Sequence, residues 1–192
     1  MRKIRFIILG AVFLYCSACT FTAQSVKITP EVKATSTVSA AGKTVDLSVA
    51  DERPSKVIGQ RGVGAVGADM TAEGDLEKTV TTAIVSGLTL HAFAVGAHEG
   101  KAASKLHVEI RNLSSKNIMG FWSGTLRDEF GLKAVCKSGA GGEYQKMYNG
   151  VFEKNIQVVP TGDANNEYIS KAVSDAVNQL VNDDALLKCL VE

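Results

Sequence analysis

The sequence predicts an α+β domain, an antiparallel-dominated sheet of about four strands with two helices packed on one face, in the order β-α-β-β-β-α. Three observations predict it. Four segments alternate apolar and polar residues, the period of a half-buried strand. Two others carry apolar residues three and four apart, the stripe of an amphipathic helix. One of these helices follows the first strand, and the other closes the chain.

The first strand is Thr44–Ala50, where Val45, Leu47 and Val49 share a face. It ends at Asp51-Glu52-Arg53-Pro54, because proline brings no N–H to a ladder. Asp51 and Arg53 stand two apart and share a side, the geometry of a structural ion pair. Residues 59–68 are glycine-dense and read as a loop, or as a strand under close backbone approach. Asp75–Leu90 is the first helix, with Leu76, Val80, Ala83, Ile84 and Leu88 on one face and Thr71 or Asp75 as its cap. Gly87 and the run Thr79–Thr82 weaken its intrinsic propensity, so packing must hold it.

Three strands follow. Leu106, Val108 and Ile110 alternate with charged neighbours. Leu126, Phe130, Leu132, Ala134 and Cys136 form a second apolar face, broken by Asp128. A glycine-rich turn at Ser138–Gly142 leads into Glu143–Gln157, so these two strands form an antiparallel hairpin. The last helix carries the stripe Ile169, Val173, Ala176, Val177, Leu180 and Val181, with Asp163, Asn165 and Asn166 as candidate caps. Asp183-Asp184 breaks or restarts it before Ala185–Leu190.

The N-terminus reads as an export signal. Arg2, Lys3 and Arg5 precede an apolar run, Phe6 to Tyr15, of about ten residues, half of what a spanning helix needs. Small residues Ser17 and Ala18 then precede Cys19. That pattern is a lipoprotein signal over residues 1–18, with Cys19 the acylated first residue of the mature chain. Cys16 stands where leucine is usual. Thiolate chemistry takes the diacylglyceryl group, and more than one acyl chain gives stable anchoring. Thr20, where aspartate would resemble an inner-membrane retention signal, points to the outer membrane. Residues 19–43, rich in Ser, Thr and Ala, read as a tether reaching roughly 80 Å, with a short strand at Val26–Thr29. Residues 44–192 form the single domain.

Without residues 1–18 the chain has 18 Lys+Arg against 20 Asp+Glu, a formal charge of −2. No like-charge block remains, which excludes nucleic acid as a partner, since phosphate recognition needs clustered cations. In an oxidising compartment Cys136 and Cys189 can form a disulfide that staples the C-terminus to the sheet; the alternative is two buried free thiols.

Cys19, the strand ending Ala50-Asp51-Glu52-Arg53, the long hairpin and the helix beginning Ile169-Ser170-Lys171-Ala172-Val173 together resemble the YajG-type outer-membrane lipoproteins over nearly the whole chain. The resemblance implies location and fold, and brings no reaction with it.

No motif carries catalytic chemistry. Gly62-Val63-Gly64-Ala65-Val66-Gly67 matches G-x-G-x-x-G, but no strand directly precedes it and no acid follows at the spacing a dinucleotide site needs. His91, His98 and His107 form no ligand set, so neither metal nor cofactor is expected. Asp128/Glu129 point to opposite faces of a strand. The aromatics are the candidate contact residues: Phe121 and Trp122, flanked by glycines, and Tyr144 and Tyr148, on one face with Phe152. The function expected is non-enzymatic: an adaptor at the periplasmic face of the outer membrane, anchored in the bilayer by its acyl chains and binding another envelope protein. The alternative is a binder of glycan or peptidoglycan fragments through the aromatic face. A free sheet edge also allows a homo-oligomer.

Overall fold

The computed structural model describes residues 22–40, 42–63, 66–96, 104–119 and 123–192. The signal sequence, Cys19, His98, Phe121 and Trp122 lie outside the described residues. The described elements are β1 (Gln24–Val26), β2 (Thr44–Asp51), β3 (Val57–Val63), β4 (Val66–Ala72), α1 (Leu76–Leu90), β5 (Ala94–Val95), β6 (Ser104–Met119), β7 (Gly124–Lys137), β8 (Glu143–Ile156), α2 (Gly162–Val181) and α3 (Asp184–Val191). They build two sheets, one of five strands in the order β5-β2-β6-β7-β8 and one of three in the order β1-β4-β3.

The α+β class holds, but the expected four-strand, antiparallel-dominated sheet with two helices does not. Both sheets are mixed: β2 runs parallel to β5 and β6, and β1 runs parallel to β4. The hairpin β3–β4 and helix α1 lie between β2 and β6, and a connection of that length returns the chain to the same end of the sheet, which makes the pair parallel. The glycine-dense segment supplies the second sheet. Its strand β3 packs beneath β6, where a Cβ on Gly59 would lie 2.2 Å from the Ser115 carbonyl oxygen. Only glycine allows that approach.

β6 pairs with β2 only as far as Ile110; a bulge between Ile110 and Asn112 bends it, and its second half pairs with β7 alone. The antiparallel hairpin β7–β8 forms as expected. The inward face of the five-stranded sheet carries Leu106, Val108, Ile110, Phe130, Leu132 and Ala134 into one core with the helix stripes. The opposite face is polar. Glu109 meets both Arg111 and Lys133, and Arg127 lies between Glu129 and Glu153.

Each helix is placed by an identifiable contact. In α1, capped by Asp75, Gly87 meets α2: a Cβ there would come within 2.7 Å of Val181 Cγ1. This is the packing that compensates its poor propensity. Helix α2 begins earlier than expected, with Thr161 as cap, its side chain accepting from the Ala164 N–H. The backbone of α2 rides directly on the edge strand, for a Cβ on Gly150 would lie 1.9 Å from the Ala172 carbonyl oxygen. The Val151 N–H donates to Asp175 Oδ2 and Gln179 Nε2 donates to the Asn149 carbonyl, so the middle of the β8 edge is occupied. Asp183 restarts the helix as α3 by accepting from the Ala185 and Leu186 N–H groups. The Cys136–Cys189 disulfide ties α3 to β7, with 6.5 Å between the Cα atoms.

Asp128 is the one fault in the inward face. It is fully buried, and neither carboxylate oxygen is hydrogen-bonded among the described residues. Burial pushes its pKa up to about 6, weakly opposed by the neighbouring Ser115 hydroxyl.

Candidate functional site

The segment that reads as a tether is the most organised polar feature of the molecule. After β1 pairs with β4, the chain runs extended along α2 as a strap. Val26 and Ile28 are buried beneath it, and Val32 packs against the core. The alternate backbone N–H groups point at α2. Lys27 donates to Asn166 Oδ1, Thr29 to Ser170 Oγ, Glu31 to Ser174 Oγ, Lys33 to Asn178 Oδ1 and Thr35 to Asn182 Oδ1. The acceptors are spaced four apart on the helix, and the donors two apart on the strap.

That match has a geometric cause. Four helical residues rise about 6.0 Å. Along the i±4 row, inclined roughly 26° to the axis, the step is about 6.7 Å. Two residues of an extended strand advance about 6.6 Å. The repeats coincide, so every second peptide finds a partner. The asparagines act as surrogate peptide groups. Asn178 Nδ2 donates to the Glu31 carbonyl and Asn182 Nδ2 to the Lys33 carbonyl, while each Oδ1 accepts from the residue two further on. The serines are oriented by their own helix. Ser170 donates to the Asn166 carbonyl and Ser174 to the Ser170 carbonyl, which leaves a lone pair for the strap.

The strap starts at the N-terminal end of α2. Gln24 Nε2 donates to the Gly162 carbonyl at 2.9 Å, and Asn165 Nδ2 donates to Gln24 Oε1 at 2.8 Å. Beside it the segment Gln157–Thr161 and the start of α2 enclose an open groove with Lys154, Ala164 and Tyr168 in its wall. Lys154 Nζ donates to the Tyr168 hydroxyl and lies over the ring, 4.6 Å from its centroid.

At the other end of α2 lies a second polar cluster. Asp183 Oδ2 accepts from the Tyr144 hydroxyl, the Tyr148 hydroxyl and Lys146 Nζ, at 3.0, 3.0 and 2.7 Å, while its Oδ1 caps α3. Burial opposes the ionised carboxylate, but Lys146, the Leu186 N–H and the two phenols outweigh it and hold its pKa at about 2. Burial, reinforced by the Asp183 charge, raises both tyrosines above the ordinary phenol value. They are donors fixed on a carboxylate and supply no nucleophile. The cluster joins β8 to the α2–α3 junction.

The expected aromatic surface is therefore not one surface. Tyr148 is 1 % exposed and turned inward, because its hydroxyl has a buried carboxylate to satisfy. Phe152 is half-buried and stacked on Tyr168. Tyr144 pairs with Cys136 near the start of β8, whereas Phe152 pairs with Asp128 in its second half. Asp51 and Arg53 do meet, at 2.9 Å, with Lys56 as a second partner of the carboxylate. The Arg53 guanidinium holds the Asp51 carboxyl far below the usual range, and the pair pins the turn into β3. Gly62 and Gly67 are cross-strand partners in the β3–β4 hairpin, a setting without the helix that a dinucleotide motif requires. His91 caps α1 with its ring near Asn182 Oδ1, and His107 lies on the polar sheet face against Ser48. Among the described residues no three His, Cys, Asp or Glu side chains converge as metal ligands. Sequence reasoning misses the strap row. Its signal is nonetheless present: Asn166, Ser170, Ser174, Asn178 and Asn182, one polar acceptor every fourth residue beside the apolar stripe.

The chain is similar to known proteins in sequence and in fold. A family model described as Uncharacterized lipoprotein matches residues 30–190. Among solved structures, a Xanthomonas campestris protein of family DUF330 superposes with a TM-score of 0.52 at 12 % identity, covering 82 % of this chain and 93 % of that one. A minor lipoprotein from Acinetobacter baumannii gives 0.46 at 12 % identity, covering 72 % and 89 %. No curated protein matches by sequence. Among the described residues no helix is long and apolar enough to cross a membrane.

Proposed function

Because the chain belongs to the uncharacterized lipoprotein family Lipoprotein_16, we propose that it is a non-enzymatic adaptor, held at the periplasmic face of the outer membrane by acyl chains on Cys19 and binding another envelope protein. The observation that carries this reading is the strap. From Gln24 onward the chain that would lead from the anchor is hydrogen-bonded into the fold. Four residues lie between Cys19 and Gln24, so the five steps from one to the other reach at most roughly 18 Å. A domain coupled so closely to its anchor holds a surface at a set height above the bilayer, which suits docking more than a search through the periplasm.

The polar clusters support the same reading, since each serves the fold. Asp183 caps a helix, Asp51 and Arg53 pin a turn, and the asparagine row holds the strap. The partner-facing surface is the uncovered face of the five-stranded sheet, where Ser48, His107, Arg111 and Lys137 are exposed. The test is photo-crosslinking in intact cells with a reactive residue at Ser48, Arg111 or Lys137. One discrete envelope-protein adduct shared by these positions is the expected result. Adducts at none of them, or a spread of unrelated proteins, would contradict the adaptor reading. Adducts with peptidoglycan would instead return the glycan alternative.

A further inference from the structure

We infer that the end of the molecule formed by the paired ends of β6 and β7 at Ile118 and Thr125, the β8–α2 connection and the start of α2 rests on the bilayer that holds the acyl chains, with Val158 and Ile118 as its contact residues. The inference rests on the reading of Cys19 as the acylated residue.

The connectivity places this end next to the anchor. Gln24 is fastened to Gly162 and Asn165 in the first turn of α2, so the link from Cys19 arrives there. Val158 lies four residues before Gly162. Ile118 pairs with Thr125, and Thr125 with Asn155, three residues before Val158. All of these lie at the same end of the long strands.

The distribution of exposed apolar surface agrees. Val158 is 75 % exposed and Ile118 64 %, the two most exposed of the large hydrophobic residues described. Single exposed hydrophobics need no explanation. Here the two largest cases coincide with the point where a lipid-linked chain must leave the fold. The alternative end of the molecule lies out of range. Helix α2 has 20 residues and is about 30 Å long, whereas the link spans at most roughly 18 Å. Leu90, 57 % exposed, lies at that far end, where His91 meets Asn182. The occupant of the apolar end is therefore the bilayer itself. The lysines near it, Lys27, Lys116 and Lys154, suit a surface of phosphate headgroups.

The experiment uses the full lipidated protein in phosphatidylethanolamine/phosphatidylglycerol vesicles with brominated acyl chains. Trp122→Phe removes the natural indole, and either Val158→Trp or Leu90→Trp supplies a new one at an exposed site. Flotation is measured first. The expected result is flotation of both proteins, with the Val158→Trp indole quenched at least threefold more than the Leu90→Trp indole. Equal quenching in floating protein, or stronger quenching at Leu90→Trp, overturns the inference and leaves the anchor reading intact. Protein that does not float overturns both.

Discussion

On the side of α2 that meets the sheet, small residues bring backbones together: Gly150 lies under Ala172 and Ala176, and no other residue at 150 would fit. On the side that meets residues 27–36 the backbones do not interlock; Ile28 and Val32 reach the core, and the rest of the contact is polar. A row of asparagine and serine side chains substitutes for a neighbouring strand and takes up the strap one peptide at a time. The first side is held by shape and apolar burial, where one methyl group is felt throughout. The second is held by partly solvated hydrogen bonds, each worth little and replaceable by water. One helix thus has a face that cannot be loosened without unfolding and a face that can be weakened rung by rung.

Substitutions on the two faces should therefore differ in size and kind. The largest effect is expected at the staple that extends the packed side into α3. Cys136 and Cys189 are 53 residues apart, and a bridge closing a loop of that length contributes about 4 kcal/mol. The double substitution Cys136→Ala/Cys189→Ala should lower the melting temperature by roughly 8–16 °C, and reductant should do the same to the natural protein. Gly150→Ala comes next. A Cβ only 1.9 Å from a carbonyl oxygen forces the helix off the edge strand at a cost of about 3 kcal/mol, read as a single cooperative shift in denaturant unfolding.

The packed side also contains the residue expected to change stability in the opposite direction. The pKa of Asp128 is raised from 3.8 to about 6 in the fold, so the folded state favours the protonated acid. Its stabilising effect is complete below about pH 4, is lost as pH rises to about 6, and stays lost above that. Asp128→Asn should stabilise the protein at neutral pH by on the order of 2–3 kcal/mol. It should also flatten the pH dependence of the melting temperature between pH 4 and 6.

The strap side should yield smaller, local losses. Asn178→Ala removes two rungs, one to Lys33 and one to Glu31, and should cost about 1–2 kcal/mol. Ser174→Ala removes one and should cost about 1 kcal/mol or less. In both, hydrogen exchange should quicken for strap amides near the lost rung and remain slow in β6 and β7. A cooperative loss of the whole domain with either substitution would erase the distinction between the faces.

What the sequence reveals follows the same division. Apolar periodicity locates β2, α1, β7, β8 and the α2 stripe, because burial writes itself as a repeat of two or of 3.6. The restart at Asp183-Asp184 is readable from capping chemistry. Parallel pairing of β2 with β6 is not, since the alternation of Val45, Leu47 and Val49 is the same for either direction. The glycine-dense hairpin is legible only as two options, because its reason is a contact with Ser115, more than 50 residues away. The strap escapes sequence reasoning for a physical reason. Its Ser, Thr and Ala composition is that of a linker, and its partners are side chains on a helix whose apolar stripe draws the eye. Tyr148 escapes it because a tyrosine on an alternating strand gives no sign of which end is satisfied; Asp183, 35 residues on, decides it.

The claim on which the rest depends is that residues 27–35 belong to the fold. Native-state amide exchange at Thr29, Glu31 and Lys33 tests it most directly. Amides bonded to Ser170, Ser174 and Asn178 should exchange at least about a hundredfold slower than an unstructured chain. Those of the intervening residues, Ala34 among them, should exchange faster. Exchange of all of them at the rate of a free peptide would mean that this segment is a tether after all, and that nothing fixes the domain against its anchor.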